Sequence, residues 1–152
     1  MTSLAKPPYL RAAPAEPAKD ALVRFLEDRF ACAQACIECA RVGALLVTAI
    51  EPVAAAQPVH GPVHPARAEP SAVRHGLRRP LLLCVEVCDA TCRMLSEEGH
   101  QDEYGLRLQA EWCRAVALEC AHACDRAPDA AACAERCRAC ARACSDFLAN
   151  LG

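Results

Sequence analysis

The stretch Cys133-Ala-Glu-Arg-Cys137-Arg-Ala-Cys140-Ala-Arg-Ala-Cys144 sets its cysteines four, three and four residues apart. At 3.6 residues per turn, that spacing keeps all four sulfurs on one side of a single helix. Arg136, Arg138 and Arg142 fall on the other side. An amphipathic helix normally turns Leu or Ile toward its core, so thiols here stand where hydrocarbon is expected. Three further stretches repeat the pattern: Cys32, Cys36 and Cys39; Cys84, Cys88 and Cys92; and Cys113, Cys120 and Cys124, with Ala117 in phase between the first two of these. The reading that follows is a core lined with sulfur.

Working outward, residues 1–19 carry Pro7, Pro8, Pro14 and Pro17 among alanines, a composition that disfavours helix and predicts a flexible tail. A first helix is expected over 20–50, capped by Asp20 and stopped before Pro52. Its inward stripe reads Leu22, Phe25, Arg29, Cys32, Cys36, Cys39, Gly43, Leu46 and Ile50, in which only Arg29 has no apolar rationale. Residues 51–79 hold Pro52, Pro58, Pro62, Pro65 and Pro70 with His60, His64 and His75, and read as a long loop. The second helix is expected over 80–98, with Pro80 at its first position and Gly99 ending it. The third runs over about 101–126 until Pro128, and the fourth over 129–150 behind Asp129 as cap. The fold class is therefore all-α: an antiparallel up-down-up-down four-helix bundle over 20–150 with a cysteine-lined core. Alternating helix directions bring Cys84, Cys124 and Cys133 to one mouth and put Met94, Leu95, Leu106, Phe147 and Leu148 at the opposite, plugged end, with the first helix's cysteines near mid-height.

Bulk properties narrow the function. A chain of 152 residues suits one domain. A formal charge of −2, with no basic face, argues against nucleic acid as a partner. Aromatic residues make up only 4%, so the core must come from Ala, Leu, Val and Cys, which suits close-packed helices. No stretch has eighteen uninterrupted apolar residues, and Met1 to Leu10 lacks the apolar run of an export signal; the expectation is no membrane span and a cytoplasmic address. In a reducing compartment, thirteen cysteines read as metal binding or redox chemistry rather than as a disulfide scaffold. No Ser/His/Asp order, phosphate loop or isolated acid pair is present, so no enzyme is expected.

Soft thiolates select copper(I), zinc and iron–sulfur clusters. Copper(I) accepts two or three sulfurs, and sulfurs can bridge successive ions, which suits a straight rail of thiols. Zinc needs a tetrahedral set, usually from a Cys-x2-Cys turn facing a second pair; Cys36/Cys39 and Cys137/Cys140 have that spacing but lie within helix. The cysteine run of bacterial ferredoxins is absent. A single buried cysteine such as Cys113 can be simple packing, whereas a repeated stripe invites oxidation that Ala or Val would avoid. His60, His64 and His75 read as solvated loop histidines, His122 as an outward residue two positions out of phase with its neighbouring cysteines, and Met94 as core filling.

The runs Cys32-Ala-Gln-Ala-Cys36-Ile-Glu-Cys39-Ala, Cys84-Val-Glu-Val-Cys88-Asp-Ala-Thr-Cys92 and Cys133 to Cys144 resemble the bacterial four-helix-bundle copper storage proteins, in particular their cytosolic branch. The resemblance implies a homotetramer of bundles that stores or detoxifies copper(I), many ions to a chain. It implies as ligands Cys32, Cys36, Cys39, Cys84, Cys88, Cys92, Cys113, Cys120, Cys124, Cys133, Cys137, Cys140 and Cys144. Gly43, Leu46, Ile50 and Ala117 stand where that family often continues its rail, so at most about thirteen ions are expected if every sulfur bridges two. The alternative is a zinc-binding redox switch, because Cys32-x3-Cys36-x2-Cys39 is similar to the His-x3-Cys-x2-Cys helix of zinc-containing anti-sigma factors.

Overall fold

A computed structural model describes residues 17–50, 68–97 and 102–151. It contains four helices, α1 (Pro17–Ala49), α2 (Ala68–Ser96), α3 (Glu103–Cys124) and α4 (Ala131–Ala149), with a 3-10 turn at Pro128–Ala130 before α4. Helix α1 packs on α2 and α4, and α3 packs on the same two, so α1 and α3 lie diagonally across a square. The cysteine partners reveal the directions. Along α1 and α4 the touching pairs are Cys32 with Cys144, Cys36 with Cys140 and Cys39 with Cys137, one number rising as the other falls. The α2–α3 contact Cys88–Cys113 and the α1–α2 contact Cys39–Cys84 complete an antiparallel, up-down-up-down bundle.

Helix α3 starts where its sequence dictates: Asp102, extended at φ −65° and ψ 114°, accepts the Tyr104 backbone N–H at 3.1 Å. Asp125 closes its C-terminus with a backbone N–H to the Ala121 carbonyl. One end of the bundle is sealed with hydrocarbon. Leu95, Leu106, Phe147 and Leu151 are buried, Met94 and Leu148 pack against them, and the Phe25 and Phe147 rings lie 5.9 Å apart. Arg29 acts as a staple at this end. Its Nε donates to the Leu95 carbonyl at 2.6 Å and its guanidinium NH2 to the Glu97 carbonyl at 2.5 Å, satisfying acceptors at the C-terminus of α2. An arginine on an otherwise apolar stripe is thereby explained.

Several expectations are corrected. Helix α2 begins at Ala68, twelve residues before Pro80, so Pro80 lies inside the helix and residues 68–79, His75 among them, are not loop. The cause is apolar: Leu77 and Leu81 continue the spacing of Cys84 and Cys88 upstream, and both are buried. Asp20 is not a cap but lies in the first turn of α1, which already starts at Pro17. Asp129 makes no cap hydrogen bond for α4; its carboxylate pairs with Arg74 at 2.8 Å, across to α2. Leu22 is exposed rather than inward. Gly43 permits close approach of α1 to α2, since a Cβ there would sit 2.9 Å from Val85 Cγ2. The expected loop histidines His60 and His64, and Gly99 after α2, lie outside the described residues.

Among the described residues, Lys19–Ala49 is long and apolar enough to cross a membrane by length and composition, which counting uninterrupted apolar residues did not reveal. Its Cys32, Cys36 and Cys39 nevertheless face the interior of the bundle.

Candidate metal centre

The helical periodicity delivers its sulfurs to one axis. Twelve of the thirteen cysteines are at most 2% exposed, and none is in a disulfide. Starting at the sealed end, Cys32 touches Cys144 at 3.6 Å. Next comes a quartet, Cys36, Cys113, Cys140 and Cys144, whose sulfurs all lie within 4.8 Å of one another. Within it Cys36 is 3.7 Å from both Cys113 and Cys140, and Cys113 is 3.9 Å from Cys140. Cys88 stands 3.9 Å from Cys113 and from Cys140 and the same distance from Cys84 on its own helix. The file continues through Cys39, which is 3.7 Å from Cys84 and 3.6 Å from Cys137. It ends with Cys120, Cys133 and Cys137 as another mutually close set and with Cys124, whose thiol neighbours are Cys120 and Cys133.

These separations suit metal–sulfur chemistry. A metal–sulfur distance of about 2.3 Å gives a trigonal set with edges of about 4.0 Å and a tetrahedral one with edges of about 3.8 Å. An ion could therefore settle among these sulfurs with little movement of the helices. The groups also overlap. Cys39 belongs with Cys84 and Cys137 and again with Cys88 and Cys140, Cys140 belongs also to the quartet, and Cys137 belongs also with Cys120 and Cys133. Shared sulfurs require bridging thiolates, which copper(I) accepts and an isolated four-ligand zinc site does not.

Burial and mutual contact split the acidities of the thiols. Contact with the Cys144 and Cys36 thiols lowers the Cys32 thiol from 9.0 to about 5. Cys39, Cys113 and Cys120 are likewise held down, chiefly by contact with Cys137, Cys140 and Cys124 respectively. Their neighbours are held up: Cys36 first by Cys113, Cys137 first by Cys120, and Cys88 first by Cys113, with burial adding to each. A few thiolates are thus stabilised by surrounding S–H donors, and further ionisation is resisted. A monovalent soft cation that replaces those protons relieves the resistance.

Cys92 stands apart from the file. It is partly exposed, and its sulfur lies 3.8 Å from Ser96 Oγ rather than near another thiol. The buried position at that level belongs to Thr91, which donates to the Val87 carbonyl at 2.7 Å and accepts from Gln109 Nε2 at 3.0 Å. His122 is exposed on the outer side of α3, and His75 is exposed on α2. Arg136 reaches from α4 to Glu38 of α1 at 2.9 Å, and Arg138 to Asp125 at 2.5 Å. Sequence reasoning placed Leu81 on the inward stripe of the second helix but missed Leu77, although its spacing of four residues from Leu81 carried the signal. The anti-sigma type of zinc switch finds no support: Cys32, Cys36 and Cys39 join three different partner sets instead of one.

Residues 66–149 match the model of the copper storage protein family. Among solved structures, the chain is similar to a cytosolic copper storage protein from Streptomyces lividans carrying five coppers, with 26% identity, 84% of this chain and 98% of that one covered, and a TM-score of 0.68. The same organism's protein loaded with 10 copper equivalents gives 26% identity over 93% of this chain and 95% of that one, with a TM-score of 0.51. A histidine-to-alanine variant of it gives 29% identity, coverage of 88% and 97%, and a TM-score of 0.52. Among curated proteins nothing matches.

Proposed function

This chain belongs to the copper storage protein family, and from that premise we propose that it sequesters several copper(I) ions in the cytoplasm as a store and a defence against free copper. The ligands are Cys32, Cys36, Cys39, Cys84, Cys88, Cys113, Cys120, Cys124, Cys133, Cys137, Cys140 and Cys144. The observation that carries this reading is the overlap of the sulfur sets, in which Cys39, Cys137 and Cys140 each serve two groups. Twelve thiolates that each bridge two ions, with two sulfurs to each ion, hold at most about twelve. Cys92, separated from the file, is not counted.

Loading needs no catalytic group. Each arriving ion displaces thiol protons, and a sulfur bound to one ion can take hold of the next, so metal moves along the axis by exchange. The role is buffering rather than turnover. Several bundles assembled as a homotetramer, in line with the resemblance, would store proportionately more. Diffraction from copper-loaded crystals at the copper edge tests the assignment: anomalous peaks are expected between the paired sulfurs from Cys32/Cys144 to Cys124/Cys133. Peaks confined to the outer surface, or to Cys92, would refute it.

A further inference from the structure

A store must admit its cargo, yet every thiol of the file is at most 2% exposed, including Cys124 and Cys133 at its outer end. Some element has to move. The end near Phe147 is closed by the Phe25–Phe147 ring contact and by the Arg29 staple. The other end is closed differently. Beyond Cys84, the inward stripe of α2 continues as Leu81 and Leu77, which belong to the same buried cluster as Cys124 and Cys133.

That cover is built weakly. Pro80 lies inside α2, lacks a backbone N–H and so deprives the Gly76 carbonyl of its helical donor, while its ring crowds the preceding turn. Gly76 has no side chain to restrict its backbone, and no heavy atom lies within 4 Å of where its Cβ would be. A cleft of about 310 Å³, lined by Val73, Gly76, Leu77, Ala123 and Arg126, separates these turns from the end of α3. One tether among the described residues is the solvent-exposed Arg74–Asp129 ion pair, a weak type of contact.

We infer that the first turns of α2, hinged at Gly76–Pro80, form a gate over the Cys120/Cys124/Cys133 end and must swing away for copper(I) to reach the thiols. The inference rests on the storage reading and adds its regulation: the gate controls the rate of uptake and leaves capacity alone. Leu77, buried at the hinge, is its inner surface, Leu81 belongs to the fixed part behind it, and Arg74–Asp129 is its latch.

The test is anaerobic transfer of copper(I) from its bicinchoninate complex to the reduced, metal-free full chain, followed in time. Gly76→Ala has room for its methyl group and Pro80→Ala restores the missing N–H, so both stiffen the hinge; uptake should slow by about fivefold and about tenfold respectively. Arg74→Ala releases the latch and should speed uptake by about threefold. Final copper content should be equal in all of them. Identical rates across the variants would overturn the gate, as would a Cys92→Ser variant that slows uptake as strongly as Pro80→Ala. Hydrogen exchange on the metal-free protein decides separately: amides of residues 73–79 should exchange faster than those of 32–39, and more slowly once Pro80 is replaced. Equal protection of the two stretches would refute the hinge. A wild-type chain that takes up only one or two ions would instead refute the storage reading, and the exchange measurement would still judge the gate.

Discussion

Thr91 and Cys92 are adjacent in sequence and differ in destination. One residue is 100° of helical rotation, enough to carry Cys92 out of the axis while Thr91 fills the buried slot and satisfies its hydroxyl locally. Replacing Cys92 with Ser is therefore expected to leave the copper-to-protein ratio unchanged, while Cys36→Ser, which breaks the quartet, should lower it by about one to two ions; elemental analysis after loading measures both. Arg29 makes the opposite kind of contribution, with no part in metal binding. Arg29→Ala removes two charge-assisted bonds to the end of α2 and should destabilise the metal-free protein by about 1 kcal/mol in thermal unfolding, with unaltered copper content.

At the level of elements, what could be read from sequence was the phase of each stripe. The repeated four-and-three spacing settles which face of each helix is inward, because a thiol, like Leu, is driven from water. The limits of α2 were less legible. Pro80 looked like a first-turn residue, and the prolines before it suggested a loop, yet burial of Leu77 and Leu81 outweighs the missing hydrogen bond. Asp129 looked like a cap because its type and place fit one, but the 3-10 turn at Pro128–Ala130 shifts the start of α4 and leaves the carboxylate to Arg74. Helix α1 illustrates how one element serves the whole file. Cys32, Cys36 and Cys39 contribute to three successive groups, so changing all three to Ala should cut capacity by about a quarter while circular dichroism still shows a helical bundle.

Across the whole molecule, the sulfur core couples stability to pH and to metal. In the metal-free fold more thiols are held protonated than are held ionised: Cys36, Cys84, Cys88, Cys124, Cys137, Cys140 and Cys144 are pushed above the ordinary value of 9.0. The unfolded chain releases those protons as pH rises through 9.0, while the folded chain keeps them. Their stabilisation is full below that pH and is lost above it, so the unfolding temperature of the metal-free protein should fall as pH climbs past about 9. Cys32, lowered to about 5, contributes with the opposite sign: its share is full above 9.0 and fades as pH drops toward 5. Copper-loaded protein, with its thiol protons already displaced, should show a flatter profile at high pH.

The claim beneath all of this is that the thiols form one continuous, bridged file rather than separate pockets. Anaerobic titration of the reduced chain with copper(I), following sulfur-to-copper absorption while a chelator competes, addresses it directly. A continuous file predicts a steady rise in absorption over many equivalents, up to about twelve per chain. Saturation after one or two ions would contradict it.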